Sequence, residues 1–352
     1  MSTPTRQLVD LLEEHVGPLV GTRTPAVGAA IVRGDDAAVL AGGRPHKGQR
    51  EIADAHTAFE TGSLTKTCTA LLLAEMVAHG DVSPTDPVET HLPRHAHPRP
   101  GKAQITLVDL ATHTAGLPRL PRNLFLPAAR NWLSDPYARY TREDLYHATA
   151  RLRPGRFAGT PRYSTFGVGL LGQILADAAG TSYPQLLATR VLHPLGMDGS
   201  GAPPAIAPTT PHATGHHRGR PVGHWHFDAL AGAGALRSTA TDMLCYLRAH
   251  LHPEWLPPTL AHAVRDVALP RHRMSGPAGA SGTSVALVWN HRHTHGEELL
   301  WHTGGTGGFT AFAGFSPTAV AGVAVLANTR PTHRDPVLSA ARRLFRSAVF
   351  PK

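Results

Sequence analysis

The chain has 352 residues, 41% hydrophobic and 17% charged, with 35 Gly and 31 Pro, which excludes a disordered protein and implies many turns. Its formal net charge is +9, from 34 Lys and Arg against 25 Asp and Glu. The arginines are scattered and never cluster with aromatics, so no nucleic-acid partner is expected. The first 36 residues show no apolar stretch behind a basic start, and nothing reaches the length of a membrane span. The expectation is a cytoplasmic protein without a membrane partner. Cys68 and Cys245 fall in helical patterns and read as small core residues.

Residues 5–20 carry helical periodicity through Leu8, Leu11, Leu12, Val16 and Leu19. Val27 to Val32 and Ala37 to Ala41, parted by Gly34-Asp35, predict a β-hairpin. Ser63 to His79 predicts a helix apolar on nearly every face, hence central and buried, and closed by Gly80. Thr106 and Asp109 make a capping box for a short helix ending at Gly116. Pro118 to Arg139 has little periodicity and is expected to be irregular. Phe166 to Ala179 and Tyr183 to Val191 predict two more helices, and the stretch 199–228, rich in Pro, Gly and His, reads as loop or ragged strand. A second capping box, Thr239 with Asp242, opens a helix to about His250. Val285 to Trp289, Leu299 to His302, Thr310 to Phe315 and Val320 to Ala327 predict strands, and Pro336 to Phe345 a helix. Strands and a helix thus lie at both ends, with helices between. That order implies an α+β protein: an antiparallel sheet built from both chain ends, carrying a helical insert.

Only four of the 34 basic residues are Lys, at positions 47, 66, 102 and 352. Lys66 stands in Phe59-Glu60-Thr61-Gly62-Ser63-Leu64-Thr65-Lys66, at the mouth of the predicted buried helix. Arg cannot lose its proton in a protein, whereas a desolvated Lys can. Burial and the positive end of a helix dipole both lower a lysine pKa from its ordinary value of about 10.4. A neutral amine one turn from a hydroxyl activates a serine, and Ser63 lies three residues before Lys66. Alone, S-x-x-K is common, and Ser63 reads equally as a helix cap with Lys66 as a surface charge.

Two further stretches change that balance. Tyr163-Ser164-Thr165 follows a Pro154-Gly155 loop and opens the Phe166 helix. A phenol beside an ammonium loses its proton more easily and becomes a general base. His302-Thr303-Gly304-Gly305-Thr306-Gly307-Gly308 follows one strand and leads into another. A phosphate loop needs a helix there. Glycines instead let a substrate lie along a strand edge whose N–H can bind an oxyanion.

The order S-x-x-K, Tyr-Ser-Thr, His-Thr-Gly resembles the serine β-lactamase and penicillin-binding-protein superfamily. It is closest to its class C β-lactamase-like branch, with family VIII esterases, D-stereospecific peptidases and some acyltransferases. Phe59 to Lys66, Ile105 to Pro118, Leu236 to Asp242 and His302 to Pro317 carry the likeness, which runs from about residue 25 to 330. The resemblance implies an antiparallel sheet flanked by helices (residues 1–62 and 235–352), a mainly helical lobe (63–234) and a site between them. It implies Ser63 as nucleophile, with Lys66 and Tyr163 sharing proton transfer. His302, Thr303, Gly304 and Thr165 would line the substrate, and the N–H groups of Ser63 and Gly305 would form the oxyanion hole. The expected partner is a small-molecule acyl substrate, with no cofactor and no metal. Two positions depart from the family pattern: Thr165 replaces its Asn and His302 its usual Lys. Both point away from strong β-lactamase activity, toward ester cleavage or acyl transfer. Three functions follow as alternatives: a serine hydrolase of small esters or amides, an acyltransferase using the same acyl-enzyme, or a non-catalytic ligand-binding scaffold. His291, His293 and His295 alternate but read as a solvated hairpin tip, not a zinc site. His216-His217 and His224-Trp225-His226 read likewise as solvated loop, with the cleft mouth as the alternative for His224 and His226.

Overall fold

A computed structural model describes residues 3–21, 24–46, 50–129, 131, 134–155, 157–274 and 282–351. Lys47 and Lys352 lie outside the described residues. Helix α1 (Thr3–His15) is amphipathic and buries Leu8 and Leu12. The expected hairpin follows as β1 (Ala26–Arg33) and β2 (Asp36–Gly43). The short β3 (Phe59–Glu60) leads into α2 (Thr65–His79). Then come α3 (Val88–His91), α4 (Leu107–Ala111), α5 (Phe125–Ala128), α6 (Arg142–Ala150), α7 (Thr165–Ala178) and α8 (Tyr183–Leu187). A small hairpin, β4 (Gly215–His217) and β5 (Arg220–Val222), precedes α9 (Ala231–Gly234) and β6 (Arg237–Ser238). Helices α10 (Ala240–Leu251) and α11 (Pro258–Asp266) return the chain to the sheet. There it forms β7 (His272–Arg273), β8 (Thr283–Val285), β9 (Asn290–Thr294), β10 (Glu297–Gly305), β11 (Thr310–Ser316) and β12 (Ala321–Ala327). Helix α12 (Pro336–Val349) follows.

The main sheet has the order β2-β1-β12-β11-β10-β9-β8-β7, and every pairing in it is antiparallel. Its centre joins the two ends of the chain: β1 lies against β12, with Val27 opposite Ala327 and Ile31 opposite Val323. Both strands are buried nearly throughout, because helices cover both faces. On one face Leu8 and Leu12 of α1 and Val337, Leu344 and Phe345 of α12 pack on Val27, Ile31, Val323 and Val325. On the other, α10 and the central helices form a larger core around α2, α7 and Trp289. Helix α2 is buried from Thr65 to Met76, as its all-round apolar pattern requires.

Several expectations needed correction. The Thr106–Asp109 capping box is present, but the one at Thr239 is only half made. There the Asp242 carboxylate accepts a 2.6 Å bond from the Ser200 hydroxyl instead of reaching back. Helix α6 has its own full box, Thr141 with Asp144, and the sequence reading passed over it, as it did α11. Residues 285–289 are not one strand: β8 ends at Val285, Val288 turns to φ +68° and β9 starts at Asn290. Of the alternating histidines, His295 does lie exposed at the tip of the β9–β10 hairpin and His293 is exposed on β9, but His291 is buried within that strand. Among the described residues no helix is long and apolar enough to cross a membrane.

Candidate active site

Ser63 sits in a one-turn 3-10 segment, Gly62–Leu64, between β3 and α2. Its approach is fixed on both sides. Strand β3 pairs with β6, and the Thr61 hydroxyl donates to the Leu236 carbonyl at 2.9 Å. The Thr65 hydroxyl donates to the Gly62 carbonyl at 2.7 Å and accepts the Leu236 N–H at 3.0 Å. Buried threonines thus bond the turn to the chain before β6, and Ser63 is left half-buried at its tip.

One turn on, Lys66 is 0% exposed. Its Nζ lies 2.9 Å from Ser63 Oγ and donates to the Ala233 carbonyl at 2.7 Å. Nζ also stands 5.2 Å from the centre of the Tyr163 ring. Burial pushes the Lys66 pKa below its ordinary value; the charge and hydrogen bond of Tyr163 oppose this, and the Arg119 charge adds to it. Among the described residues no carboxylate is bonded to the amine. Tyr163 is positioned by the residue after it. The Ser164 hydroxyl caps α7 by accepting the Gly167 N–H at 2.9 Å and donates to the Pro118 carbonyl at 2.7 Å.

The opposite wall is strand β10. It pairs with β9 only as far as Trp301, opposite Asn290, leaving His302 to Gly305 open on that side. The Thr306 N–H points inward to the Phe309 carbonyl. By alternation the N–H groups of Thr303 and Gly305 face the open edge. Ser63's turn lies directly against it. A Cβ on Gly304 would collide with the Thr61 carbonyl oxygen, and one on Gly62 would stand 2.7 Å from Gly305 N. Gly62 also adopts φ +51°, a conformation that favours glycine. Side chains alternate across a strand, so His302 and Thr303 point to opposite faces. His302 is the one that meets Tyr163, with ring centres 6.1 Å apart.

A β-lactamase family profile matches residues 10–346. The chain belongs to the β-lactamase family. It is 25% identical to a β-lactamase of Pseudomonas fluorescens over 96% of this chain and 98% of that one. It is 26% identical to a β-lactamase of Escherichia coli K12, over 92% and 89% of the two chains. It is 25% identical to the D-alanyl-D-alanine-carboxypeptidase/endopeptidase AmpH of the same strain, over 93% and 85%. Family and relatives make it a serine hydrolase of this superfamily.

Within this family frame, the two departures acquire physical content. His302 is buried, and burial, then the Lys66 charge, then His113, push its pKa down to about 3. It is a neutral imidazole at ordinary pH, and the cation that Lys would supply is missing. Thr165 opens α7 beside Tyr163, and its N–H donates to the Arg119 carbonyl at 2.9 Å. Its hydroxyl has no amide N–H to offer.

Sequence reasoning missed three contributors. His113, at φ +61°, lies 4.8 Å ring to ring from Tyr163, and its Nδ1 accepts the Ser164 N–H at 3.3 Å. Burial, with the Lys66 charge second, pushes its pKa down to about 3. Arg119 holds its guanidinium 5.5 Å from the centre of the Tyr163 ring. The Ala233 carbonyl holds the amine. His113 and Arg119 stood at or beside the Ile105–Pro118 stretch and were readable as part of it; a backbone carbonyl leaves no mark in sequence. His224 bonds Glu60 at 2.7 Å and His226 bonds Asp135 at 2.6 Å, fastening the 224–226 loop. Among the described residues no group of three or more His, Cys, Asp or Glu is placed to hold a metal ion.

Proposed function

We propose that this protein forms an acyl-enzyme on Ser63 and cleaves small, uncharged ester or amide substrates in a cleft between its sheet and helical lobes. The buried Lys66 amine, 2.9 Å from Ser63 Oγ, carries the reading. A neutral Nζ has a lone pair for the hydroxyl proton while Oγ forms its bond to the acyl carbon. The oxyanion that results is met by the N–H groups of Ser63 and Gly305. Collapse breaks the bond to the leaving group, which takes a proton from Tyr163. Water, deprotonated by Tyr163, then attacks the ester on Ser63; collapse breaks the acyl–Oγ bond, Oγ takes its proton back from Lys66, and the acid is released. An alcohol or amine in place of that water would make the same intermediate a transferase. The relatives' names offer a β-lactam or a D-alanyl peptide as the amide. Thr165 and the neutral His302 support a substrate that needs neither an amide clamp nor a cation at those positions.

A fluorophosphonate probe tests the proposal, since it phosphonylates an activated serine with loss of fluoride. Intact-protein mass spectrometry is expected to show one adduct on the wild type and none on Ser63→Ala. Equal labelling of the two proteins would refute the assignment.

A further inference from the structure

Away from Ser63, the fold gathers arginines that the sequence scatters. Arg122 precedes α5, Arg151 ends α6, Arg153 follows two residues later and Arg162 precedes Tyr163. All four line a single cavity of about 560 Å³. All four are exposed, and among the described residues none makes a salt bridge. Elsewhere this protein pairs its arginines where acids are near: Arg142 with Asp177, Arg190 with Glu75 and Asp81, Arg271 with Asp266. The bland account is a set of solvated surface charges. For Arg151 it suffices, because a cation at the end of α6 complements the helix dipole. It does not explain why Arg153 on the same stretch, and Arg122 and Arg162 from two further segments, surround the same hollow.

The floor differs from the rim. Phe166 is 1% exposed and forms the floor, while Phe157, 41% exposed, stands at the wall with its ring centre 4.1 Å from the Arg162 guanidinium, a cation–π arrangement. Leu152 continues the apolar surface. A hollow of this volume suits a small organic ligand, with apolar lining for its body and a few polar groups to fix it. Guanidinium forks match the oxygens of a phosphate two at a time, and several of them suit a dianion better than a single carboxylate. A nucleic acid would ask for charges strung along a backbone track, whereas these ring a hole.

We infer that this cavity binds a small phosphate ester with an apolar body, the phosphate held among Arg122, Arg151, Arg153 and Arg162 and the hydrocarbon against Phe157 and Phe166. Ser63, Lys66, Tyr163 and His302 do not line this cavity, and the inference stands without the acyl-enzyme chemistry.

Calorimetry with the full chain and 1-naphthyl phosphate tests the inference, with 1-naphthoate and 1-naphthol as the monoanionic and neutral counterparts. Saturable one-to-one binding is expected for the phosphate, weaker binding for the carboxylate, and weaker still for naphthol and for inorganic phosphate. Joint Arg151→Ala and Arg153→Ala substitution should weaken naphthyl phosphate at least about tenfold, as expected for lost charge-assisted bonds. Arg342→Ala with Arg343→Ala, exposed on α12, and Ser63→Ala should leave it unchanged. Circular dichroism confirms that each variant is folded. Absence of saturable binding, or equal binding by the Arg151/Arg153 variant, overturns the inference. So does an oligonucleotide or an anionic vesicle that binds at these arginines and is not displaced by naphthyl phosphate.

Discussion

At the scale of single residues, the site depends on one charge being dispensable. Among the described residues, Lys66 is the only basic side chain of the largest fully buried ones, and its amine is bonded to a hydroxyl and a carbonyl. Lys66→Arg keeps a cation of similar reach but removes the ability to accept a proton. The expected result is a loss of at least about 100-fold in kcat for a nitrophenyl ester, with the far-ultraviolet spectrum unchanged. The pH profile carries a second expectation. A lowered Lys66 pKa means that the neutral amine is reached at lower pH, so kcat/KM should rise with pH through a limb below the ordinary lysine value of about 10.4. His113 and His302, both near 3, stay neutral through the assay range and should add no limb near 6.5. Ser63, Lys66 and Tyr163 were legible from residue type and order along the chain. Their neighbours His113, Arg119 and Ala233 were not assigned, because proximity in space created their roles.

At the scale of elements, close backbone approach brings Ser63 to the sheet edge. Gly304→Val is expected to push β10 away from the Thr61–Leu64 turn, lowering thermal stability and abolishing probe labelling together. A stable variant that labels at the wild-type rate would contradict this packing. The Thr106 cap offers a milder case. Its hydroxyl accepts the Asp109 N–H, and Thr106→Val should cost about 1 kcal/mol in denaturant unfolding. Elements with strong local logic were readable: the first hairpin, the apolar α2 and the capped α4. The strand expected over residues 285–289 failed for a tertiary reason. Trp289 is fully buried against Tyr246 and Phe315, and the left-handed turn at Val288 sets it there. Packing overrode a local β pattern. Of the alternating histidines only His291 departed from the expected hairpin tip, since loop-like composition concealed the strand that buries it.

At the scale of the whole molecule, the antiparallel sheet was legible because strands stood at both ends of the sequence, whereas the gathering of arginines from separate segments was not. Composition also shapes the response to acid. Among 24 histidines, His113, His250 and His302 are buried with pKa values pushed down to about 3, 4 and 3, burial being the first cause in each. Each binds a proton more readily unfolded, where its pKa is about 6.5. Stability should therefore be intact above about pH 6.5 and fall as pH drops toward the folded values, by up to about 1.4 kcal/mol per pH unit per histidine. His250→Phe, within the ring cluster of Tyr246, Trp289 and Phe315, should remove about one proton from that slope between pH 6 and 5. An unchanged slope in urea melts would show that His250 is not buried neutral. The scarcity of lysine, four residues in 352, makes the central claim directly measurable. Carbon-13 NMR of lysine-labelled protein follows every ammonium through its titration. One resonance, absent in Lys66→Arg, should titrate well below the others. If all four lysines titrate together near the ordinary value of about 10.4, the amine beside Ser63 is a permanent cation and the account fails.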